Sequence, residues 1–473
     1  MPAENYEEVM DRRNQIMKEA VGIDYDQFRV NELIFDYEAM MEKAGYDLDE
    51  VRSIQQEASV GNTPLLELKN LTALVRELAP PGKGARIFLK DEAANPSGSY
   101  KPRRASVSVY HAQKEGYPGV AAATSGNYGA AVASQANIRN LDSIIVQEVY
   151  DSKGRGQPEI LEKGRKCEAY GAEVLQLTVG PELFYTFLKV LEDTGFFNAS
   201  LYTPFGIAGV ETLGYEIVSE IREQEGKDPA AVICTNAGGG NLTGTARGIE
   251  KAGADDTLII GASVDLSGLH MASDRDFNRK SFTTGHTGFG IPFATWPDRA
   301  DVPINAARAM RYMDRYLIVT QGEVFYVTEA LARLEGMERG PAGNTSLAPA
   351  LSLAQEMDKD EIIVVQETEY TGAGKHPISQ LNFARKMGVE VYRGDPKKEV
   401  PGESIVIPEH PEQIEGEDFN LENIRTSYIS KAVQKSGLEE LGPDEIEFLA
   451  SEINLSPAET EELISSSIDV EVG

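Results

Sequence analysis

The sequence predicts an α/β protein built on a largely parallel sheet, and two observations predict it. From VGNTPLLEL (Val60 to Leu68) to about Val391, short apolar runs alternate with amphipathic stretches of helical length. Most of those runs are continuous rather than alternating, the pattern of strands covered on both faces by crossover helices.

In chain order, residues 1–45 read as a polar, helical N-terminal arm. The clearest predicted strands are RIFLK (86–90), VAAAT (120–124), SIIVQE (143–148), AEVLQLTV (172–179), AAVICT (230–235), LIIGAS (258–263) and EIIVVQ (361–366). Residues 101–116, 127–138, 157–171, 208–224 and 343–357 have the length of crossover helices. Residues 264–300 form a glycine-containing excursion, and a loop of that size is usually functional or an embellishment. From about residue 400, PGESIVIPEHPEQIEGEDFN reads as a Pro/Glu-rich connector, and Gly442-Pro443-Asp444 and Ser456-Pro457-Ala458 read as helix starts. The expected organisation is an arm (1–45), a core (46–395) and an acidic, helical C-terminal extension (396–473).

Composition excludes several classes. A formal net charge of -31 repels nucleic acid and anionic membrane surfaces. No apolar run approaches the ~20 residues that span a bilayer, and the charged N-terminus lacks a secretory apolar stretch. Two distant cysteines, Cys167 and Cys234, fit a reducing cytoplasm better than a disulfide framework, and both are expected in the core. The five histidines, His111, His270, His286, His376 and His410, show no zinc-ligand spacing.

Four segments carry chemistry. In NPSGSYKPRR (Asn95 to Arg104), Lys101 sits where a Ser/Gly-rich loop becomes a helix; a helix-start niche beside a cationic neighbour such as Arg103 would lower its pKa and make the amine a nucleophile. In AATSGNYGAAVA (Ala122 to Ala133), Thr124, Ser125, Gly126 and Asn127 offer hydroxyls, amides and a helix N-terminus to a carboxylate. In ICTNAGGGNLTGTA (Ile233 to Ala246), Gly238, Gly239, Gly240 and Asn241 can wrap a phosphate, because absent Cβ atoms allow close backbone approach. In IIVVQETEYTGAGKHP (Ile362 to Pro377), a buried strand ends in polar residues and a Gly-rich turn. Each alone is also what a plain helix start, a capped turn or a glycine turn without ligand looks like.

Together and in this order they resemble the β-family (fold type II) of pyridoxal-phosphate enzymes, the group of threonine synthase, threonine dehydratase and cysteine synthase. VGNTPL is similar to that family's entry strand and NPSGSYKPR to its Schiff-base loop. TSGNYG is similar to its carboxylate loop, IAGVETLGYEI (Ile207 to Ile217) to its I-A-G-x-x-T-x-x-x-E segment, and EGMERGPAGNTSLAPAL and TGAGK to its late segments. The resemblance covers roughly residues 58 to 395 and implies a tryptophan synthase β-like fold of two intertwined α/β domains, the smaller, substrate-side lobe roughly at 96–225. It implies pyridoxal 5'-phosphate held by Lys101 as a Schiff base, with Asn127 at the phenolic oxygen and Gly238, Gly239, Gly240 and Asn241 at the phosphate. Thr124, Ser125, Gly126 and Asn127 would hold the substrate carboxylate, and Thr371 would meet the pyridine nitrogen, with Glu367 as the alternative.

Departures narrow the choice: Pro102 follows the lysine, Tyr128 stands in the carboxylate loop, and no second basic cluster near TSGN suggests a substrate phosphate site. Over its whole length the chain is similar to the family of large (β) subunits of the thiolase acting on 2-amino-4-oxopentanoate. The similar stretches include AVGIDYDQF, QLTVGPELFY, SFTTGHTGFGIPF and QETEYTGAGKHP. That resemblance implies CoA-dependent cleavage to acetyl-CoA and alanine in ornithine degradation, with Lys101 as acid/base. It also implies a small second subunit, and a homodimer of this chain within the complex. The alternatives are a threonine-synthase-like or other β-elimination lyase acting on a small amino acid, and a non-catalytic subunit that keeps the cofactor site.

Overall fold

The computed structural model describes residues 5–124, 126–180, 182–266, 280–283, 302–370, 376–438 and 440–470. Ser125, most of the 264–300 excursion and the TGAGK loop with Thr371 lie outside the described residues.

The larger sheet holds β1 (Leu65–Glu67), β2 (Arg86–Asp91), β7 (Ala231–Thr235), β8 (Leu258–Val264), β9 (Arg315–Val319), β10 (Ile362–Glu367) and β13 (Glu417–Asp418), in the order β1-β2-β10-β7-β8-β9-β13. β1 and β13 are antiparallel edges; the five strands between them are parallel. The smaller sheet is wholly parallel, with β3 (Gly119–Thr124), β4 (Asp142–Tyr150), β5 (Glu173–Thr178) and β6 (Phe197–Asn198) in the order β5-β4-β3-β6. β11 (Glu390–Arg393) and β12 (Ser404–Ile407) pair alone.

All seven predicted runs are strands, and the continuous ones lie inside the sheets: every residue of β10 is buried. β5 departs from the buried pattern because it is an edge with one neighbour, and each of its residues is half-buried or exposed. The stretch read as a connector after residue 400 contains two strands. Its SIVI is fully buried against β11, and Glu417–Asp418 closes the edge at β9. Flanking prolines and glutamates had hidden the apolar signal.

Both extensions are seated on the core. Val9, Ile16 and Met17 of the arm join Phe187, Leu188 and Leu191 of the helix Glu182–Thr194 in one apolar cluster. Ile424, Tyr428, Leu449 and Ile453 of the C-terminal helices pack with Val232 and Val364 of the larger sheet. Glu452 ties this extension down, accepting from Arg311 (2.9 Å) and from the Tyr428 hydroxyl (3.1 Å) and pairing with Arg308. The helix starts at Pro443 and Pro457 are where the sequence places them. Among the described residues no helix is long and apolar enough to cross a membrane.

The helix Pro204–Glu225 runs through the middle of the molecule. Its Thr203 cap accepts from the Gly206 amide (3.2 Å), Pro204 opens its first turn, and Gly226 closes it in a left-handed conformation (φ 70°). Its glycines face backbone. A Cβ at Gly209 would overlap the Arg103 carbonyl, and one at Gly214 would overlap the Thr245 carbonyl. Across the second contact, Gly248 of the helix Gly240–Lys251 abuts the Glu211 carbonyl in the same way. Gly214→Ala should therefore destabilise the protein by about 1–3 kcal/mol, the usual cost of overpacking. Urea unfolding followed by circular dichroism measures it; an unchanged midpoint would contradict the backbone-to-backbone contact.

Candidate active site

Three strand ends and one loop meet at a single point. The loop Asn95–Ser99 reaches it because Ser97 and Gly98 both adopt left-handed backbone (φ 61° and 72°). The loop then lies along the end of β10: the Tyr100 amide donates to the Thr368 carbonyl (3.0 Å) and the Tyr370 amide to the Gly98 carbonyl (2.7 Å). That contact delivers Lys101, at the cap of the helix Pro102–Glu115, beside the polar residues that follow β10.

The Lys101 amine has a pKa lowered to about 7, first by burial and then by the positive charges of Lys163 and Arg104, against the opposing pull of Glu369. Arg103, expected from the sequence to be the cationic neighbour, points elsewhere. It is fully buried and bonds Glu92 (2.7 Å) and Glu216 (2.7 Å), because those carboxylates satisfy its charge away from the site.

At the end of β3, the Thr124 hydroxyl accepts from the Gly126 amide (2.9 Å), and the helix Asn127–Ile138 begins. The Asn127 side chain donates to Glu369 (3.2 Å), which links this turn to the end of β10. Lys163 reaches the same turn: its ammonium lies 3.4 Å from where a Cβ on Gly126 would sit, and it pairs with Glu159. Lys166, one turn on, donates to the Ser97 carbonyl (3.1 Å). The sequence shows no basic cluster here, because both lysines come from a helix, Pro158–Ala169, more than thirty residues downstream.

At the end of β7, Gly239 is left-handed (φ 84°) and Gly240 opens the helix Gly240–Lys251. Asn241 donates to Gln366 (2.7 Å). The Thr235 hydroxyl, both side-chain polar atoms of Asn236, and Asn241 Oδ1 are buried with no partner among the described residues. Buried polar atoms are nearly always bonded, so this cluster suits a polar group entering from outside the chain. Glycine amides at a helix N-terminus are the donors a phosphate takes. Amine, anion turn and glycine cradle together fit pyridoxal phosphate.

At the end of β10, Glu367 is fully buried, and its carboxyl is raised well above the carboxylate range by burial and by the neighbouring Glu369 and Asp91. Gly343 and Gly340 lie directly against Glu367 and Glu369, where any side chain would collide. Burial pushes the thiols of Cys167 and Cys234 up to about 12. Glu369, Arg104 and Lys163 are the site residues that the sequence reading did not single out.

A family profile described as "Pyridoxal-phosphate dependent enzyme" matches residues 57–369. The "2-amino-4-ketopentanoate thiolase beta subunit" of Acetoanaerobium sticklandii is 65% identical over 448 residues, 95% of each chain. A protein of the same description from an unknown prokaryotic organism is 66% identical over the same span, again 95% of each chain. Maize serine racemase superposes with a TM-score of 0.51 at 21% identity, covering 68% of this chain and 94% of its own, which establishes the fold.

Two outcomes test this geometry. Borohydride reduction of the cofactor-loaded protein should fix the cofactor to the peptide carrying Lys101, and Lys101→Ala should abolish the attachment; labelling at another lysine would refute the assignment. Glu367→Gln tests the raised carboxyl. A carboxyl whose folded pKa lies above its unfolded value loses the protein stability as pH rises beyond the unfolded value near ~4.3. Relative to the wild type, the glutamine variant of the apoprotein should thus gain stability as pH rises above about 5, read as a difference in melting temperature. A gap that does not change with pH would show Glu367 to be ionised.

Proposed function

The chain belongs to the family of pyridoxal-phosphate-dependent enzymes, and from that premise we propose that it is the large, catalytic subunit of a thiolase. It cleaves 2-amino-4-oxopentanoate with CoA to acetyl-CoA and alanine. The observation that carries this reading is the extent of the identity to proteins named as that thiolase's beta subunit: 65–66% over 95% of the chain. The likeness runs well beyond the matched family segment at 57–369 and takes in much of the arm and extension.

The reaction breaks C3–C4 of the substrate, joins the CoA sulfur to C4, and returns a proton to C3. The cofactor, when bound, supplies an electron sink next to the substrate's Cα. Lys101 holds the cofactor and moves protons at Cα and C3; an amine with a pKa near 7 is available in its neutral form at physiological pH. Thr124, Ser125, Gly126 and Asn127 orient the substrate carboxylate, with Lys163 adding positive charge at Gly126. Gly238 to Asn241 hold the phosphate. Thr371 or Glu367 would face the ring nitrogen. With both cysteine thiols held protonated, the sulfur nucleophile is that of CoA.

The same reading gives a substrate-side lobe at roughly 96–225 within a core of 46–395, and a cytoplasmic place in ornithine degradation. It also gives a complex in which a small second subunit joins a homodimer of this chain. The word "beta subunit" in the relatives' description supports a partner. The inward faces of the arm and extension are taken up by the core, so their outward faces are what a partner would meet. One observation favours a second reading, a threonine-synthase-like lyase: Lys163 beside the carboxylate turn, with Lys166 against the neighbouring Ser97 loop, supplies cations that a phosphorylated substrate would also need.

An assay of acetyl-CoA formation from 2-amino-4-oxopentanoate, with and without the co-expressed small subunit, decides between them. The expected result is CoA-dependent activity in a hetero-complex on size-exclusion chromatography. A homodimer fully active alone would overturn the partnership. No acetyl-CoA in either preparation, with turnover of a phosphorylated amino acid, would overturn the thiolase.

A further inference from the structure

Arg104 is buried (2% exposed) on the first turn of the helix that Lys101 caps. Its guanidinium lies against the glycine cradle: a Cβ on Gly240 would sit 2.8 Å from Nη2 and 2.9 Å from Nη1. Nη1 donates to the Leu201 carbonyl (3.1 Å), and the group stands 5.3 Å over the Tyr100 ring. Nε has no partner, and among the described residues no carboxylate pairs with Arg104. Arg103, its neighbour, has two. A buried cation without an anion is costly, and a guanidinium has five N–H donors to satisfy. The nearest place built for an anion is the N-terminus of the helix Gly240–Lys251.

We propose that Arg104 is a cofactor-binding residue whose guanidinium is the counter-charge to the cofactor's phosphate in the Gly238–Asn241 cradle. The cradle would then be a charged site as well as a set of backbone amides, and the helix that presents Lys101 to the cofactor's aldehyde would also hold its phosphate. The placement also accounts for Gly240, since any side chain there would displace the guanidinium from the phosphate position. Arginine suits the role because its planar fork matches two phosphate oxygens. This inference rests on the phosphate occupying the glycine cradle.

Titration of the apoprotein with pyridoxal phosphate and with pyridoxal, followed by visible absorption, separates the phosphate's contribution from the ring's. Arg104→Gln should weaken pyridoxal phosphate about 10- to 100-fold, the range for a hydrogen bond to a charged group. Pyridoxal, which has no phosphate, should bind within about twofold of wild type. Arg104→Met, which keeps the buried stem, serves if the glutamine variant does not fold. Phosphorus NMR of the wild-type holoprotein gives an independent readout. The bound phosphate should stay dianionic between about pH 6 and 8, and should titrate in the variant. Equal losses for the two ligands would make Arg104 a packing residue and overturn the proposal, as would a wild-type phosphate that titrates like the free cofactor. If Gly239→Val loses pyridoxal phosphate while Arg104→Gln does not, the cradle stands and Arg104's role falls. If neither variant alters the preference for pyridoxal phosphate over pyridoxal, the cradle reading itself has failed.

Discussion

The helix Pro204–Glu225 touches both halves of the site backbone to backbone. Gly209 meets the turn that follows Lys101, and Gly214 meets the helix that the glycine cradle opens. Two elements more than a hundred residues apart in sequence are thereby set against one rigid rod. A charged network locks the first contact. Arg103 bridges Glu92, after β2, to Glu216 on the rod, and Lys90 of β2 adds Glu216 (3.2 Å) and Glu220 (2.8 Å). Gln55 of the helix Leu48–Glu57 donates to the carbonyls of Arg103 (3.0 Å) and Gly209 (2.7 Å), closing the seam between the two helices. Removing one partner from such a buried network costs about 3–5 kcal/mol, so its value here is in fixing one position of the Lys101 helix.

The site's electrostatics run against those of the chain. The formal net charge is -31, yet Lys101, Lys163 and Arg104 converge on the space between two helix N-termini. That field is suited to a phosphate and a carboxylate, and after burial it is the second cause that lowers the Lys101 amine to about 7. The acids nearby are managed by burial and pairing: burial raises the Glu367 carboxyl, and Glu369 accepts from Asn127. Glu216, by contrast, is held down to about 2 by Arg103 and Lys90 against its own burial. The same interior thus shifts two glutamates in opposite directions: Glu216 downward through its contacts with Arg103 and Lys90, and Glu367 upward through burial beside other carboxyl groups.

Much of this was legible in the sequence because it is local. Continuous apolar runs declare buried strands, Gly-Pro and Ser-Pro declare helix starts, and three glycines after a strand declare close backbone approach. The edge strand β5 reads like an interior one because its apolar content is the same; what differs is the neighbour it lacks. The segment after residue 400 shows the converse, a four-residue strand hidden by its prolines. In the site, Lys101 and the glycine run stand out by type and spacing. Arg104 and Lys163 do not, since their meaning depends on which helix crosses which, and the field around Lys101 was assigned to Arg103 because adjacency in sequence is a poor guide to direction on a helix. Arg104, three residues on from Lys101, shares its helix face, and that spacing was the one available clue.

The central claim is that this packing presents one lysine, one anion turn and one glycine cradle to a single cofactor. A crystal structure of the protein grown with pyridoxal phosphate measures it most directly. The account predicts density continuous with the Lys101 side chain, and phosphate oxygens within hydrogen-bond distance of the amides from Gly238 to Asn241. A cofactor joined to Lys163 or Lys166, or a phosphate lying away from the glycine run, would contradict it.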